Sequence, residues 1–547
     1  MGFKFTISKI FILFLIACSY QVAAQQPQQQ VIGAPTSTDS IRSIHIMQGK
    51  SMRLITIDSV TALETIAGDV IIKEGLTTFY CDSATINRRT NIVEAYGNIH
   101  INDNDSIHTY SQYLRYVGGE RIAYLKKNVR LNDKKGTLCT DELEYNLRTG
   151  IATYQNGGRI VNGTTVLTSR DGVYYQDTKD VYFKNNVHLK DPERDIWTDS
   201  LLYNLKTNIA TFIAKTRIVG KDGSVINTNS GTYNLATGEA LFSGRPNFSD
   251  STRSAVADHM AYDKKTGMLQ MEGNAKLVDS VNQFTVMAGQ VFADTKQNSY
   301  LATRHPVMII YRDGDSTYVA ADTLFSGLRK YDSLERKMIT QRDTLKTTLA
   351  INAKNSSDTS IRYFLGFHHV RIYNDSLQAV SDSLHYSTAD STFKLFGEPI
   401  VWNGKSQVTG DTLYLFTQKQ KPKRLYVFNN ALIINKSAEG LYNQIAGRTL
   451  NGYFTDGNID YVRVKGSPAE SIYYPQDDDS AYIGMNRSSG DVIDVYFVKK
   501  ELNKVKFVND VNGTLYPLKK IPAEQKQLKG FKWLDNRRPK TWLELFE

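Results

Sequence analysis

Four aspartates, Asp82, Asp141, Asp199 and Asp258, follow one another at intervals of 59, 58 and 59 residues. A carboxylate is a common general acid or base, but hydrolytic chemistry uses one such group or one pair. Here the residue returns at one position of a repeated phrase, and Asp382 and Asp411 extend the series 29 residues apart. It therefore reads as a side chain that fixes a turn or a strand end. His368-His369 and His385 are metal-ligand types, yet no acid or thiol accompanies them at ligand spacing. The Gly-x-Ser-x-Gly, His-Glu-x-x-His and phosphate-loop patterns are missing from the sequence, and Gly118-Gly119 and Gly157-Gly158 are turn signals. No catalytic residue, metal or cofactor is expected, and nothing points to nucleic acid.

The positioning elements follow from the phrase around each aspartate. Asp141-Glu142-Leu143-Glu144-Tyr145-Asn146 leads to Ile151-Ala152-Thr153-Tyr154. Asp199-Ser200-Leu201-Leu202-Tyr203-Asn204 leads to Ile209-Ala210-Thr211-Phe212, and Asp258-His259-Met260-Ala261-Tyr262-Asp263 to Met268-Leu269-Gln270-Met271. Weaker copies at half the interval (Ser111, Ser169 and Thr228) set the unit at about 29 residues, running from about residue 50 to about 465. A closing phrase recurs with it: Gly97-Asn98-Ile99, Lys127-Asn128-Val129, Asn185-Asn186-Val187, Gly273-Asn274-Ala275 and Asn429-Asn430-Ala431.

Inside a unit the period is two, with aromatic and β-branched residues, which predicts strands. Segments such as Asn-Leu-Arg-Thr-Gly supply the positive φ that tight hairpins need. Each unit is then two strands joined by a hairpin, and the units stack as an all-β meander with open edge strands at its ends. Alternation places Leu143, Tyr145, Ala152, Tyr154, Leu201, Tyr203, Ala210, Phe212, Met260, Tyr262, Leu269 and Met271 on the inward face. It places Trp197 on the face of Leu201 and Tyr203, and Thr198 and Ser200 outward. These inward residues suit either the walls of an apolar groove or a filled core. Cys81 and Cys139 stand two units apart, on the order of 19 Å at strand spacing. They also face opposite ways, so two unpaired, inert thiols are expected.

Residues 1–24 read as a secretory signal, with Lys4 and Lys9 before the apolar run Ile10–Ala17 and cleavage near Ala24. Leu15-Ile16-Ala17-Cys18 offers a rival, lipidation at Cys18. Residues 25–45 form a Gln/Pro/Ser-rich leader, 46–327 a first β block and 328–360 a charged insertion. A second β block spans 361–467. Residues 468–547 form a C-terminal β region whose aromatic tail suits a capping amphipathic helix. No further apolar run is long enough for a spanning helix. With 66 Lys+Arg against 56 Asp+Glu the chain is modestly basic, an excess that a solvated surface explains as readily as contact with anionic lipid.

The recurring Asp-x-Leu-x-Tyr, Ala-x-Phe/Tyr and Gly-Asn-Val-x-Ile strands resemble the OstA-like/LptA-like domains of lipopolysaccharide transport. The likeness is clearest from Gly75 to Leu277 and returns from Leu377 to Ile434. Met485-Asn486-Arg487-Ser488-Ser489-Gly490 and Leu528-Lys529-Gly530-Phe531-Lys532-Trp533 are similar to stretches of long OstA-like proteins of the Bacteroidetes. The resemblance implies a repeated antiparallel β-jellyroll whose facing sheets leave an elongated groove for lipid A acyl chains. It implies a periplasmic, non-enzymatic scaffold in lipopolysaccharide transport and outer-membrane assembly, with an outer-membrane association. Its partners would be lipopolysaccharide, or a related lipid A-containing glycolipid, and other jellyroll proteins paired through open edge strands. The alternative is a structural or adhesive β-solenoid with a filled core and no lipid.

Overall fold

The computed structural model describes residues 44–547 apart from 59–61, 313, 331–359, 390, 419–420 and 499–500. The signal segment and Cys18 lie outside the described residues, as does most of the leader and of the charged insertion. His45 is already in a strand, and at the edges of the insertion Lys330 pairs with Ser360.

The strands are antiparallel; long ones such as Thr77–Asn87, Ile92–Asp103, Ile107–Val117 and Ile122–Asn132 pair with their sequence neighbours, while short ones such as Ile151–Tyr154 and Gly158–Asn162 both pair with Thr137–Asn146. Two such strands and their turns make the 29-residue unit. Every long strand bends in its middle and serves two sheets. In Ile92–Asp103, residues 92–96 pair in the first sheet and 99–103 in the second.

The bend is built from the closing phrase. Gly97/Asn98, Lys127/Asn128, Asn185/Asn186, Gly273/Asn274, His368/His369 and Asn429/Asn430 all take positive φ, the left-handed region that Gly and Asn tolerate best. Such a pair faces a single residue on the next strand, so the ladder slips there, for example between Lys184 and Val187. The single residue is often the repeated aspartate. Asn98 Nδ2 donates to Asp82 Oδ2 at 2.9 Å, Asn274 to Asp258 at 2.8 Å and Asn430 to Asp411 at 2.9 Å. His368 bonds Asp382 at 3.0 Å, and the neighbouring His369 bonds Asp322 at 2.9 Å. The repeated aspartate and this histidine pair thus clamp corners.

The corner also corrects a face assignment. Alternation carried through Asp199 puts Trp197 with Leu201 and Tyr203. The slip reverses the parity, so Trp197 lies outside, 43% exposed and stacked on His188, while Leu201 and Tyr203 are buried. Thr198, expected outward, is buried for the same reason, and Ser200 is only partly exposed.

The strand pattern runs on past residue 467. Asn458–Tyr473 pairs with Gly484–Val498, which pairs in turn with Glu501–Val508 and Asn512–Pro517. The expected terminal helix is not formed. Residues 518–547 make short 3₁₀ turns at Leu518–Lys520, Ala523–Gln525, Asp535–Arg537 and Leu543–Phe546. Pro517, Pro522, Gly530 and Pro539 interrupt any longer helix. Nor does the tail cap the end of the stack; it runs back along the outer face of the second sheet. Gln444 accepts from Leu528 N–H (2.8 Å) and donates to Lys526 O (2.9 Å). Gln407 does the same for Leu534 and Lys532. Leu528 packs with Met485 and Ile472, Leu534 with Trp402 and Ile400, and Leu545 with Val307.

Candidate functional site

The interior between the two sheets is the candidate site. Leu143, Tyr145, Ala152, Tyr154, Leu201, Tyr203, Ala210, Phe212, Met260 and Met271 are all buried in one apolar cluster. Tyr262 and Leu269 are half-buried against it. Along the first sheet one cross-strand row alternates large and small residues: Tyr116, Ala123, Tyr145, Ala152, Tyr174, Val181, Tyr203, Ala210, Tyr233, Ala240 and Tyr262. Each small neighbour leaves space for a tyrosine ring. The row therefore fills the interior without crowding, as close packing requires.

The interior is closed rather than an open trough. The inward side chains are buried, and an apolar cavity lined by Ile372, Leu377, Phe393, Leu395 and Leu415 holds about 30 Å³.

Opposite the corners, the turns of the two sheets form the two rims of a mouth, and tyrosines bridge them. Tyr116 donates to Glu74, whose carboxylate also faces Arg121 at 3.8 Å. Tyr145 donates to Asp103 at 3.0 Å. Tyr174 donates to Asp133, which also pairs with Lys179 at 3.1 Å. Tyr203 continues the series through an amide: Asn162 Nδ2 donates to its phenol oxygen at 3.1 Å and to Asn208 at the same distance. Burial pushes the Tyr116, Tyr145 and Tyr174 phenols well above the usual range, and the facing carboxylates push them further. Burial likewise pushes the Asp133 carboxyl up, but the Tyr174 phenol, the Gly136 and Lys135 backbone N–H groups and Lys179 hold it net below its ordinary value. The mouth is therefore closed by repeated polar latches.

Glu74, Asp103, Asp133 and Asn162 are the tyrosines' partners across the mouth, and the repeat phrase does not contain them. Each precedes its tyrosine by 41 or 42 residues, one unit and a strand, and that recurrence is the signal that locates them.

Cys81 and Cys139 are both free thiols as expected, but only Cys81 is buried; Cys139 is partly exposed, which departs from the expectation that both are inert. Burial and then Asp82 push the Cys81 thiol up to about 12. Among the described residues no group of three His, Cys, Asp or Glu side chains is placed to hold a metal ion, and no helix is long and apolar enough to cross a membrane.

Residues 44–199 match the family model of OstA-like proteins, and residues 166–299 match that of the LptA/LptD N-terminal-domain lipopolysaccharide transport proteins. Among solved structures the chain is similar to LptH of Pseudomonas aeruginosa, described as the LptA-homologous periplasmic component of the lipopolysaccharide transport device. Identity is 14% over 27% of this chain and 87% of that one, with a TM-score of 0.15. No curated protein matches the chain.

Proposed function

We propose that this chain, an OstA/LptA-like family member through residues 44–299, is a periplasmic scaffold of lipopolysaccharide transport that shelters acyl chains between its two sheets. The observation that carries this reading is the Tyr–Ala row. It supplies a continuous apolar interior from Tyr116 to Tyr262, with polar latches across the mouth at Tyr116, Tyr145, Tyr174 and Tyr203. Transfer of an acyl chain from water into such an interior gains roughly 0.8 kcal/mol per CH₂, enough for several chains to outweigh opened latches of about 1–3 kcal/mol each. The chemistry is binding, with no bond made or broken. The proposed walls are Leu143, Tyr145, Ala152, Tyr154, Leu201, Tyr203, Ala210, Phe212, Met260, Tyr262, Leu269 and Met271.

The partners fit the ends of the stack. Ser51–Thr56 is an outer strand exposed along its whole length, with Met52 and Leu54 more than half exposed. An edge of this kind recruits another strand, so a second jellyroll protein is the proposed neighbour. Outer-membrane association belongs to the same proposal.

A second reading has its own support. The closed interior is what a filled-core structural solenoid has. A photo-crosslinking residue at Phe212, challenged with lipopolysaccharide, separates the two. Capture at Phe212 supports the carrier. Capture at no interior position leaves the filled-core scaffold standing.

A further inference from the structure

The mouth changes character between residues 225 and 269. The Tyr–Ala row reaches Tyr262, whose next partner is Leu269 in place of alanine, and both are half-buried. Across the mouth, on the second sheet, the paired residues Ile226 and Phe248 are also half-buried while packing on the interior. Their own cross-strand row begins with fully covered residues such as Leu131, Leu138 and Ile160. Apolar interior thus comes to the surface between two lips.

The rim is also less tied there. Successive turns of the first sheet are linked by backbone hydrogen bonds: Leu147 N–H to Arg121 O, Gln176 to Gly150, Leu205 to Lys179 and Leu235 to Asn208, at 2.9–3.0 Å. The series resumes with Thr295 to Gly267 at 2.9 Å. Among the described residues no such link joins the turn at 264 to the turn at 238.

A cationic cleft of about 360 Å³ sits at this place, spanning both rims. Arg194, Lys264, Lys265 and Lys296 line it with Glu193 and the turn at 235–238. Four cations and one carboxylate line it; Arg194 pairs with that carboxylate, Glu193, at 2.8 Å and also faces Asp191 at 3.6 Å. Glu193 is held by Lys264 at 2.6 Å in an exposed ion pair, the kind that contributes little and exchanges easily. The Arg194 guanidinium stacks on the Tyr233 ring at 4.2 Å, which fixes it on the floor of the cleft.

We propose that this stretch is a lateral port for an amphiphile with a phosphate-bearing head and several acyl chains. Arg194, Lys264, Lys265 and Lys296 hold the phosphate while the chains pass between Ile226/Phe248 and Tyr262/Leu269. The proposal rests on the lipid-carrier reading and locates where the carrier loads. A phosphate dianion replaces Glu193 as the partner of Lys264 with charge-assisted bonds. At Tyr116, Tyr145 and Tyr174, by contrast, passage requires breaking a phenol–carboxylate bond and leaving the acid short of a donor, which is the expensive event.

The test uses the full secreted chain and diphosphorylated lipid A in detergent micelles, with its dephosphorylated form as a matched probe. A photo-crosslinking residue is placed singly at Phe248, at Leu131 in the same row under the latches, and at Phe212 inside. At short times Phe248 is expected to label several-fold faster than Leu131. The Lys264→Gln/Lys265→Gln/Lys296→Gln variant should slow that labelling about tenfold for the phosphorylated probe alone, as loss of charge-assisted contacts requires. Equal rates at Phe248 and Leu131, or an unchanged triple variant, overturn the port while labelling at Phe212 keeps the carrier. Absence of labelling at Phe212 overturns both.

Discussion

Single side chains carry two roles here, clamping corners and latching the mouth. Phenylalanine at position 174 removes a phenol donor from Asp133, which is 5% exposed. A buried carboxylate left short of a donor costs about 1–3 kcal/mol, so Tyr174→Phe is expected to lower the unfolding free energy by that amount in a denaturant titration. The two thiols should separate cleanly. Cys81 is buried with its thiol pushed up to about 12, and Cys139 lies partly exposed between Arg130 and Arg159. A maleimide is expected to modify Cys139 in the folded protein and Cys81 only after denaturant is added. The repeated aspartates were legible as structural from recurrence alone. Their partners were not read from it: Asn98, Asn274 and Asn430 of the closing phrase bond Asp82, Asp258 and Asp411, a pairing across strands that two separate phrases do not reveal. The inward faces of Leu201 and Tyr203 were readable. The place of Trp197 was not, because alternation cannot register a slip caused by two left-handed residues on the neighbouring strand.

At the scale of elements, latches join turn to turn and so respond to pH. The folded Asp133 carboxyl lies below its ordinary value of 3.8. Its contribution is therefore fully present above about pH 4 and is lost as pH falls through the folded value. Stability of the native chain should fall with acidification below pH 4, and the Asp133→Asn variant should show a shallower fall in pH-dependent urea midpoints. The C-terminal tail is the other element with a testable part. Leu528 is buried against Met485 and Ile472. Leu528→Ala is expected to cost about 2–5 kcal/mol where the tail folds with the sheet. A negligible effect would mean that the tail docks independently of the sheet beneath it. The tail's aromatic residues suggested an amphipathic helix because composition records what is apolar, not what the backbone bonds to. The side-chain amides of Gln407 and Gln444 give its N–H and C=O groups partners that a helix would have supplied internally.

At the scale of the molecule, the repeat gave away the architecture: two phrases in register across the chain require stacked strands. The state of the interior was not accessible in the same way. Tyrosine and alanine in alternation serve an open trough and a packed core equally well, and the difference rests on contacts across the mouth between residues 41 or 42 apart. The structure is closed, and the carrier account requires it to open when acyl chains arrive. The most direct measurement is the distance between spin labels at Thr149 and Asn104, exposed residues on opposite rims of one cleft. The account predicts a single short distance in the free protein and a longer population when lipopolysaccharide is added. An unchanged distance distribution at saturating lipopolysaccharide would contradict it.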